Sequence, residues 1–406
     1  MLALMPEAVI VATSRSPIGR AFKGSLVQMR PDELAAQIVR AVLAKVPELD
    51  PAEIEDLILG NGQPAGEAGF NLARVVAILS GLGNVPGVTV NRYCSSSLQT
   101  IRMAAHAIRA GEGDVFVAAG VETVSRFANG SADGIPGTYN VLFADAQARS
   151  AARAEGGHGP WTPPVGLPDI YIAMGQTAEN VAELENISRV EMDEFGALSQ
   201  NRAVANVENG FFEREITPVT LPDGTVVSTD DGPRPDTTVE RLAQLKPVFR
   251  PDGRVTAGNA CPLNDGAAAV VVMSDRRAAE LGLRPLARIV SSGVSAIDPE
   301  IMGLGPVQAS RQALKRAGMS IDDVDLAEIN EAFAAQVLPS ARSLGIPIEK
   351  LNVHGGAIAL GHPFGMTGAR IMTTLLNGLE AEDKTIGLET MCVGGGQGMA
   401  MIVERV

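Results

Sequence analysis

The sequence predicts an α/β protein whose sheets are rich in parallel strands and covered by helices on both faces. Three observations predict it. Short continuous apolar runs alternate with stretches of helical periodicity along most of the chain. That alternation restarts near residue 286 and repeats the order of the first half, as a doubled unit would. The 406 residues are 46% hydrophobic but only 4% aromatic, with 44 glycines, so close packing rests on Ala, Gly and Val.

Ala8-Val9-Ile10-Val11-Ala12 reads as a buried strand, and Ser16-Pro17-Ile18-Gly19 turns out of it. Asp32 to Val46 is helical, with Leu34, Ile38 and Val42 on one face and Pro31 suited to the first turn. Leu57-Ile58-Leu59 is a strand ended by Gly60-Asn61-Gly62, and Asn71 to Leu82 is a helix. Val88-Thr89-Val90 is a strand that stops before Cys94; beyond it Leu98, Ile101, Ala105 and Ile108 share one helical face. Asp114 to Gly120 is a further apolar strand.

Residues 123–170 hold no sustained period, a stretch too long for a simple connection and expected to be a lid or subdomain. Ser188-Arg189-Val190-Glu191 is a capping box opening a helix with Phe195, Leu198, Ala203 and Val207. Two strands with turns follow, through Leu221 to Val227, and Ala267 to Met273 returns to the first sheet.

The second round runs as a strand at Leu286 to Val290, a helix from Ala309 closed by Gly318, and a strand at Leu326 to Ile329. A helix from Ala332 to Leu344, a strand end at Asn352-Val353-His354 and a helix from Gly365 to Leu379 come next. Ile386 to Met391 and Met399 to Val403 are closing strands joined by a glycine-rich turn.

Composition excludes several classes. A net charge of −14 argues against nonspecific nucleic-acid binding and obliges any anionic ligand to find a local basic patch. From Arg234 to Arg254 there is such an island: Arg234, Arg241, Lys246, Arg250 and Arg254. Its plain reading is a solvated helix face. Three cysteines make no disulfide framework, which indicates a reducing, cytoplasmic setting, and no Cys/His spacing suits a metal. Met1 to Glu7 carries no basic and long apolar regions, so no secretory signal is expected. No apolar run reaches the ~20 residues of a membrane span.

Four stretches carry candidate chemistry. Cys94, followed by Ser95-Ser96-Ser97, sits at a strand-to-helix junction where free N–H groups and the helix dipole converge. That setting is expected to lower a thiol from its ordinary ~8.5. Ile329-Asn330-Glu331-Ala332-Phe333-Ala334 places polar residues at another such junction. Gly355 to Pro363 sets His362 in a glycine-dense loop, and Cys392-Val393-Gly394-Gly395-Gly396-Gln397-Gly398 starts a glycine-rich turn with a cysteine. Each alone has a plain reading: a buried small residue, a helix cap, a satisfied core histidine, a tight hairpin. As a set they supply a nucleophile, a base, a second acid/base and N–H donors for an oxyanion.

The ordered set resembles the thiolase family, the acyl-CoA C-acyltransferases, over essentially the whole chain. The motifs are Asn91 to Ser97, Asn330 to Phe333, Gly361-His362-Pro363 and Cys392 to Gly398. The resemblance implies two βαβαβαββ halves, each with a mixed five-stranded sheet, packed as αβαβα layers. Residues 1–122 and 255–280 would form the N-terminal half, 281–406 the C-terminal half, and 123–254 an inserted, CoA-binding loop domain. It implies that Cys94 accepts the acyl group and that His362 takes its proton. Cys392 exchanges the α-proton of the second substrate. Asn330 holds a water that makes one oxyanion site with His362, and the N–H groups of Cys94 and Gly394 make the other.

For coenzyme A, a substrate rather than a resident cofactor, it implies Arg234 near the adenine and Phe249 and Leu263 along the pantetheine. Cys261 replaces a serine that often contacts the pantetheine; it is carried as a contact with no catalytic role. A homodimer or homotetramer is implied as well. Ala173-Met174-Gly175 replaces the His-Met-Gly of short-chain biosynthetic thiolases, which points toward 3-ketoacyl-CoA thiolysis over acetoacetyl-CoA synthesis. Cys392 argues against a ketoacyl synthase on the same fold, and the intact four residues argue against an inert acyl-CoA-binding relative. His354, where thiolases usually have no histidine, is expected to be structural.

Overall fold

The computed structural model describes residues 6–406; Met1 to Met5, most of the stretch read for a secretory signal, lie outside the described residues. The first half contains β1 (Ala8–Arg15), β2 (Gly19–Arg20), α1 (Pro31–Leu43), β3 (Asp56–Gly60), α2 (Leu72–Leu79), β4 (Gly87–Val90), α3 (Ser96–Ala110) and β5 (Val115–Thr123). A long excursion holds α4 (Ala144–Ala154), α5 (Met174–Leu184), α6 (Arg189–Glu208), a hairpin of β6 (Val219–Thr220) and β7 (Val226–Val227), and α7 (Val239–Ala243). β8 (Asn264–Ser274) rejoins the sheet and leads into α8 (Asp275–Glu280). The second half runs β9 (Ala287–Ala296), α9 (Gly305–Ala317), β10 (Leu326–Ile329), α10 (Ala334–Leu344), α11 (Ala357–Leu360), α12 (Thr367–Ala381), β11 (Ile386–Val393) and β12 (Gln397–Arg405).

The doubling is visible in strand direction. In the first half β3 pairs β4 and β5 in parallel, while β8 is antiparallel to both β5 and β1. In the second, β10 pairs β11 in parallel, and β12 is antiparallel to both β11 and β9. The two sets meet edge to edge through Val9–Arg288 and Ile10–Ala287, so one continuous sheet of 10 strands crosses the molecule.

Strand alternation sorts the core into layers. Ile10, Phe116 and Val272 face α3 and α12, and so do Met391, Met399 and Val403 of the other half. Val9, Leu57 and Val271 face α1 and α2 on one outer side. Leu388, Ala400 and Ile402 face α9 and α10 on the other. The result is helix, one half of the sheet, central helices, the other half of the sheet, helix.

Four expectations are corrected. The sheet is not rich in parallel strands: β3–β4, β3–β5 and β10–β11 are parallel, whereas the six other pairings are antiparallel, because β8 and β12 each run back between strands of the opposite direction. The second half has four strands, not five. Where the fifth would lie, Leu351 keeps one parallel bridge to Ala327. Asn352 then turns to φ +46°, and its amide bonds the N–H and C=O of Ile329 at 2.8 and 2.9 Å, in place of a backbone ladder. Asn352-Val353-His354 is therefore a turn. The excursion, read as irregular over 123–170, contains α4; only Ala146 and Ser150 of that helix are buried, so it shows no apolar stripe. The capping box at Ser188 and Glu191 forms as read.

Candidate active site

β4 delivers the chain to a sharp turn. Tyr93 takes φ +43°, which L-residues seldom adopt, and is held there by its N–H donating to Asn91 Oδ1 at 2.7 Å. A 3-10 turn, Tyr93–Ser95, precedes α3, so Cys94 stands just ahead of the helix. Burial pushes the Cys94 thiol up to about 11, while the N–H groups of Gly394 and of Cys94 itself, aimed at the sulfur, pull it down. The lowered thiol pKa expected from the junction is thus wrong: two amide dipoles do not outweigh the loss of water. The resting thiol is neutral.

The turn carrying Cys94 packs against β11, which ends in Cys392 and its glycine turn. Cys392 is fully buried, its thiol held well above the ordinary value by burial and then by the nearby sulfurs of Cys94 and Cys261. Its Sγ lies 3.2 Å from the outer amide atom of Gln336. The orientation that satisfies both other neighbours makes that atom Nε2, donating to Asn330 O at 3.1 Å, with Oε1 accepting from the Val337 N–H at 2.9 Å. A thiol both donates and accepts, so the carbonyl and the N–H decide.

His362 is buried beside them. Its Nδ1 lies 2.6 Å from Thr367 Oγ1, and that hydroxyl spends its proton on Pro363 O at 2.7 Å. Nδ1 must therefore carry the imidazole proton, leaving the Nε2 lone pair facing Asn330 Nδ2 at 3.3 Å. Burial first, and Arg370 second, hold the imidazole down to about 3, so it is neutral. Asn330 thus contacts His362 directly, and its Oδ1 has no hydrogen-bond partner among the described residues. The Phe364 ring, edge-on to His362 at 5.2 Å, lines one cleft of about 210 Å³ with Cys94 and Gly394. Residues distant in sequence (94, 330, 362, 392 and 394) are gathered at one place.

Comparison with known proteins gives the arrangement its family. The model of the thiolase N-terminal domain matches residues 8–276, and that of the thiolase C-terminal domain matches residues 283–405. The chain belongs to the thiolase family. As a thiolase it is an enzyme of the acyltransferase class. It is 45% identical over 411 residues to a 3-ketoacyl-CoA thiolase of Aeromonas hydrophila, covering 99% of this chain and 100% of that one. A 3-ketoacyl-CoA thiolase of Serratia proteamaculans is 46% identical with the same coverage. Among solved structures, the dimeric peroxisomal thiolase of Saccharomyces cerevisiae superposes with a TM-score of 0.88 at 36% identity, covering 100% of this chain and 99% of that one. A Bacillus anthracis acetyl-CoA acetyltransferase gives 0.86 at 39%, covering 99% of each.

A second cavity of this thiolase, about 290 Å³, is lined by Arg234, Phe249 and Cys261 among others. Phe249 lies edge-on to Phe333 and against Gly175, where any Cβ would lie 2.2 Å from the ring. Cys261 is half-buried, close enough for the Cys94 sulfur to raise its thiol further. Leu263 does not line this cavity; it is half-exposed and accepts the Ala21 N–H through its carbonyl. The basic island also divides. Arg250 is buried against Glu183, Gln176 and Asn180, Arg254 bonds the carbonyls of Ala182 and Ile187, and Arg241 pairs with Asp236. Arg234 alone of the five faces the cavity, and its companion there is Arg20, whose charge it feels.

Several residues of the site escaped sequence reasoning. Glu331 is fully buried and accepts from Ser199, Asn352 and the Ile358 N–H at 2.6, 2.8 and 3.0 Å, fastening the loop that leads to His362. Its place in Asn330-Glu331-Ala332-Phe333 was the available signal. Glu122 accepts from the N–H groups of Gly62 and Gly365 at 2.7 and 2.9 Å and so ties two walls of the Cys94 cleft. Gln336 and Arg20 carried no local signal. His354 stacks on Phe211 at 3.8 Å and bonds Asn206 at 2.9 Å, lining neither cavity, in keeping with a structural role.

Proposed function

We propose that this thiolase cleaves 3-ketoacyl-CoA with coenzyme A through an acyl-cysteine at Cys94. The observation that carries the reading is a neutral thiol beneath two convergent N–H groups, in one site with an imidazole whose Nε2 is the unprotonated nitrogen and a second buried thiol. Cys94 Sγ attacks the keto carbon as its proton passes to His362. The bond between the keto carbon and the α-carbon breaks, and Cys392 protonates the departing carbanion to give acetyl-CoA. The thiol of coenzyme A then gives its proton to the Cys392 thiolate and attacks acyl-Cys94; the shortened acyl-CoA is released as the leaving Cys94 sulfur takes back its proton from His362. The N–H groups of Cys94 and Gly394 hold the acyl oxygen. Asn330 and His362 hold the oxygen of the other thioester, Asn330 Oδ1 having room for the water that the family pattern implies.

The same reading assigns Arg234, Phe249 and Cys261 to coenzyme A, with Arg20 added and Leu263 dropped. It takes 123–254 as the inserted domain within the half formed by residues 1–122 and 255–280, and 281–406 as the other half. Two cationic side chains in one cavity suit phosphates in a chain of net charge −14. All three cysteines are free thiols, which suits a reducing, cytoplasmic setting. Among the described residues no helix is long and apolar enough to cross a membrane. A homodimer or homotetramer is the proposed assembly.

The test is mass spectrometry of the intact protein with steady-state thiolysis. Acyl-CoA should add one acyl group to the wild type and none to Cys94→Ala, which loses turnover by at least about 10⁴-fold. Cys392→Ser should still be acylated while carbon–carbon bond cleavage slows by at least about 100-fold. Near-normal cleavage by Cys392→Ser would remove that residue from the chemistry.

A further inference from the structure

The geometry points to the cleft over Cys94 as a site selecting uncharged, ring-bearing acyl groups and rejecting chains that end in a carboxylate. This assignment rests on the thiolysis reading and names the substrate class of that reaction. The chain has three tyrosines in 406 residues, and all three, Tyr93, Tyr139 and Tyr171, line this cleft. Tyr139 and Tyr171 stack with centroids 4.6 Å apart, and the Tyr171 hydroxyl is anchored by accepting the Asn140 N–H at 3.2 Å. The Tyr93 ring lies over the glycine turn: Cβ atoms at Gly394 and Gly395 would stand 3.5 and 3.8 Å from it. Apolar side chains of Ile170, Ile172 and Met174 complete the walls.

Size and charge narrow the class. The cleft measures about 210 Å³; an engineered cavity of about 150 Å³ takes a benzene. An acetyl group would leave most of it unfilled, whereas a planar ring matches its bulk and gains from aromatic walls through offset or edge contacts. Among the described residues the lining holds no Lys, Arg or His. Its one acidic side chain is Asp133, which accepts from Gln63 Nε2 at 2.7 Å. A carboxylate carried into the cleft would meet a like charge with no cation to offset it. The cleft shares no lining residue with the cavity assigned to coenzyme A, so the two ends of an acyl-CoA are recognised separately.

The experiment measures kcat/KM for thiolysis by the full-length protein. Substrates are acetoacetyl-CoA, 3-ketooctanoyl-CoA, a phenyl-terminated 3-ketoacyl-CoA of similar bulk, and 3-ketoadipyl-CoA. The phenyl-terminated substrate should exceed 3-ketooctanoyl-CoA by about fivefold, and 3-ketoadipyl-CoA should fall about 100-fold below it. Tyr171→Leu should abolish the preference for the ring over the straight chain. Asp133→Lys, at an exposed position and therefore tolerant of change, should raise kcat/KM for 3-ketoadipyl-CoA about tenfold relative to the neutral substrates. Turnover of acetoacetyl-CoA with no ring preference, or with 3-ketoadipyl-CoA used as well as the neutral chains, would overturn the acyl-class assignment alone. Failure to turn over any 3-ketoacyl-CoA would overturn the thiolysis reading and this one with it.

Discussion

Cys94 and His362 are both neutral at rest, the thiol raised to about 11 and the imidazole lowered to about 3, both chiefly by burial. No thiolate–imidazolium pair stands ready at neutral pH, so the proton leaves the sulfur as the bond to carbon forms. Inactivation by iodoacetamide should accordingly keep rising from pH 7 to about pH 10, following the thiolate fraction. A plateau near pH 7 would mean a thiol already ionised. Thr367 fixes which nitrogen is basic by accepting the hydrogen bond that Nδ1–H donates. Thr367→Val removes that acceptor, and kcat should fall by about 10–100-fold with KM little changed. The identities of Cys94, His362 and Cys392 as candidates were legible from motif alone. Their protonation states were not, because burial is a property of everything folded around them.

At the scale of elements, Glu122 at the end of β5 clamps the loop after β3 to the segment before α12 through Gly62 and Gly365. Burial raises its carboxyl to about 7 against an ordinary 4.5, with the donated N–H groups opposing. The raised value means that the folded protein prefers the protonated form. Its contribution is complete below pH 4.5 and is lost as pH rises through 7, on the order of 3 kcal/mol in all. Glu122→Gln lacks this titration. The difference in Tm between wild type and variant should therefore shift against the wild type between pH 5 and 7.5 and stay flat above. Strands and helices with their own apolar rhythm, such as Ala8–Arg15 and Pro31–Leu43, were legible in sequence. Asn352 was not, since it replaces a ladder with side-chain bonds to Ile329. Nor was the division of the basic island, since Arg250 is claimed by Glu183 and Asn180, 67 and 70 residues away.

At the scale of the molecule, β4 ends the sheet with one edge unpaired among the described residues. Phe70, 86% exposed, lines a groove with Val88 and Val90 beside that edge. An open edge next to an exposed aromatic favours pairing with a second copy. Light scattering should give a dimer or tetramer, and Phe70→Arg should lower the assembled fraction at micromolar protein. The doubled topology was legible as a repeat in sequence. The edge contact of β1 with β9 was not, because it joins residues nearly 280 positions apart. The central helices have a further consequence. α3 follows the turn that holds Cys94, whereas the loop before α12 holds His362, and both halves of the sheet pack on these two helices. A backbone cut between α8 and β9 would give two fragments, one with the acyl acceptor and the other with its proton acceptor, each baring half of a shared interior. Neither piece could be inherited as a working catalyst, and activity would return only on mixing, with second-order dependence on concentration.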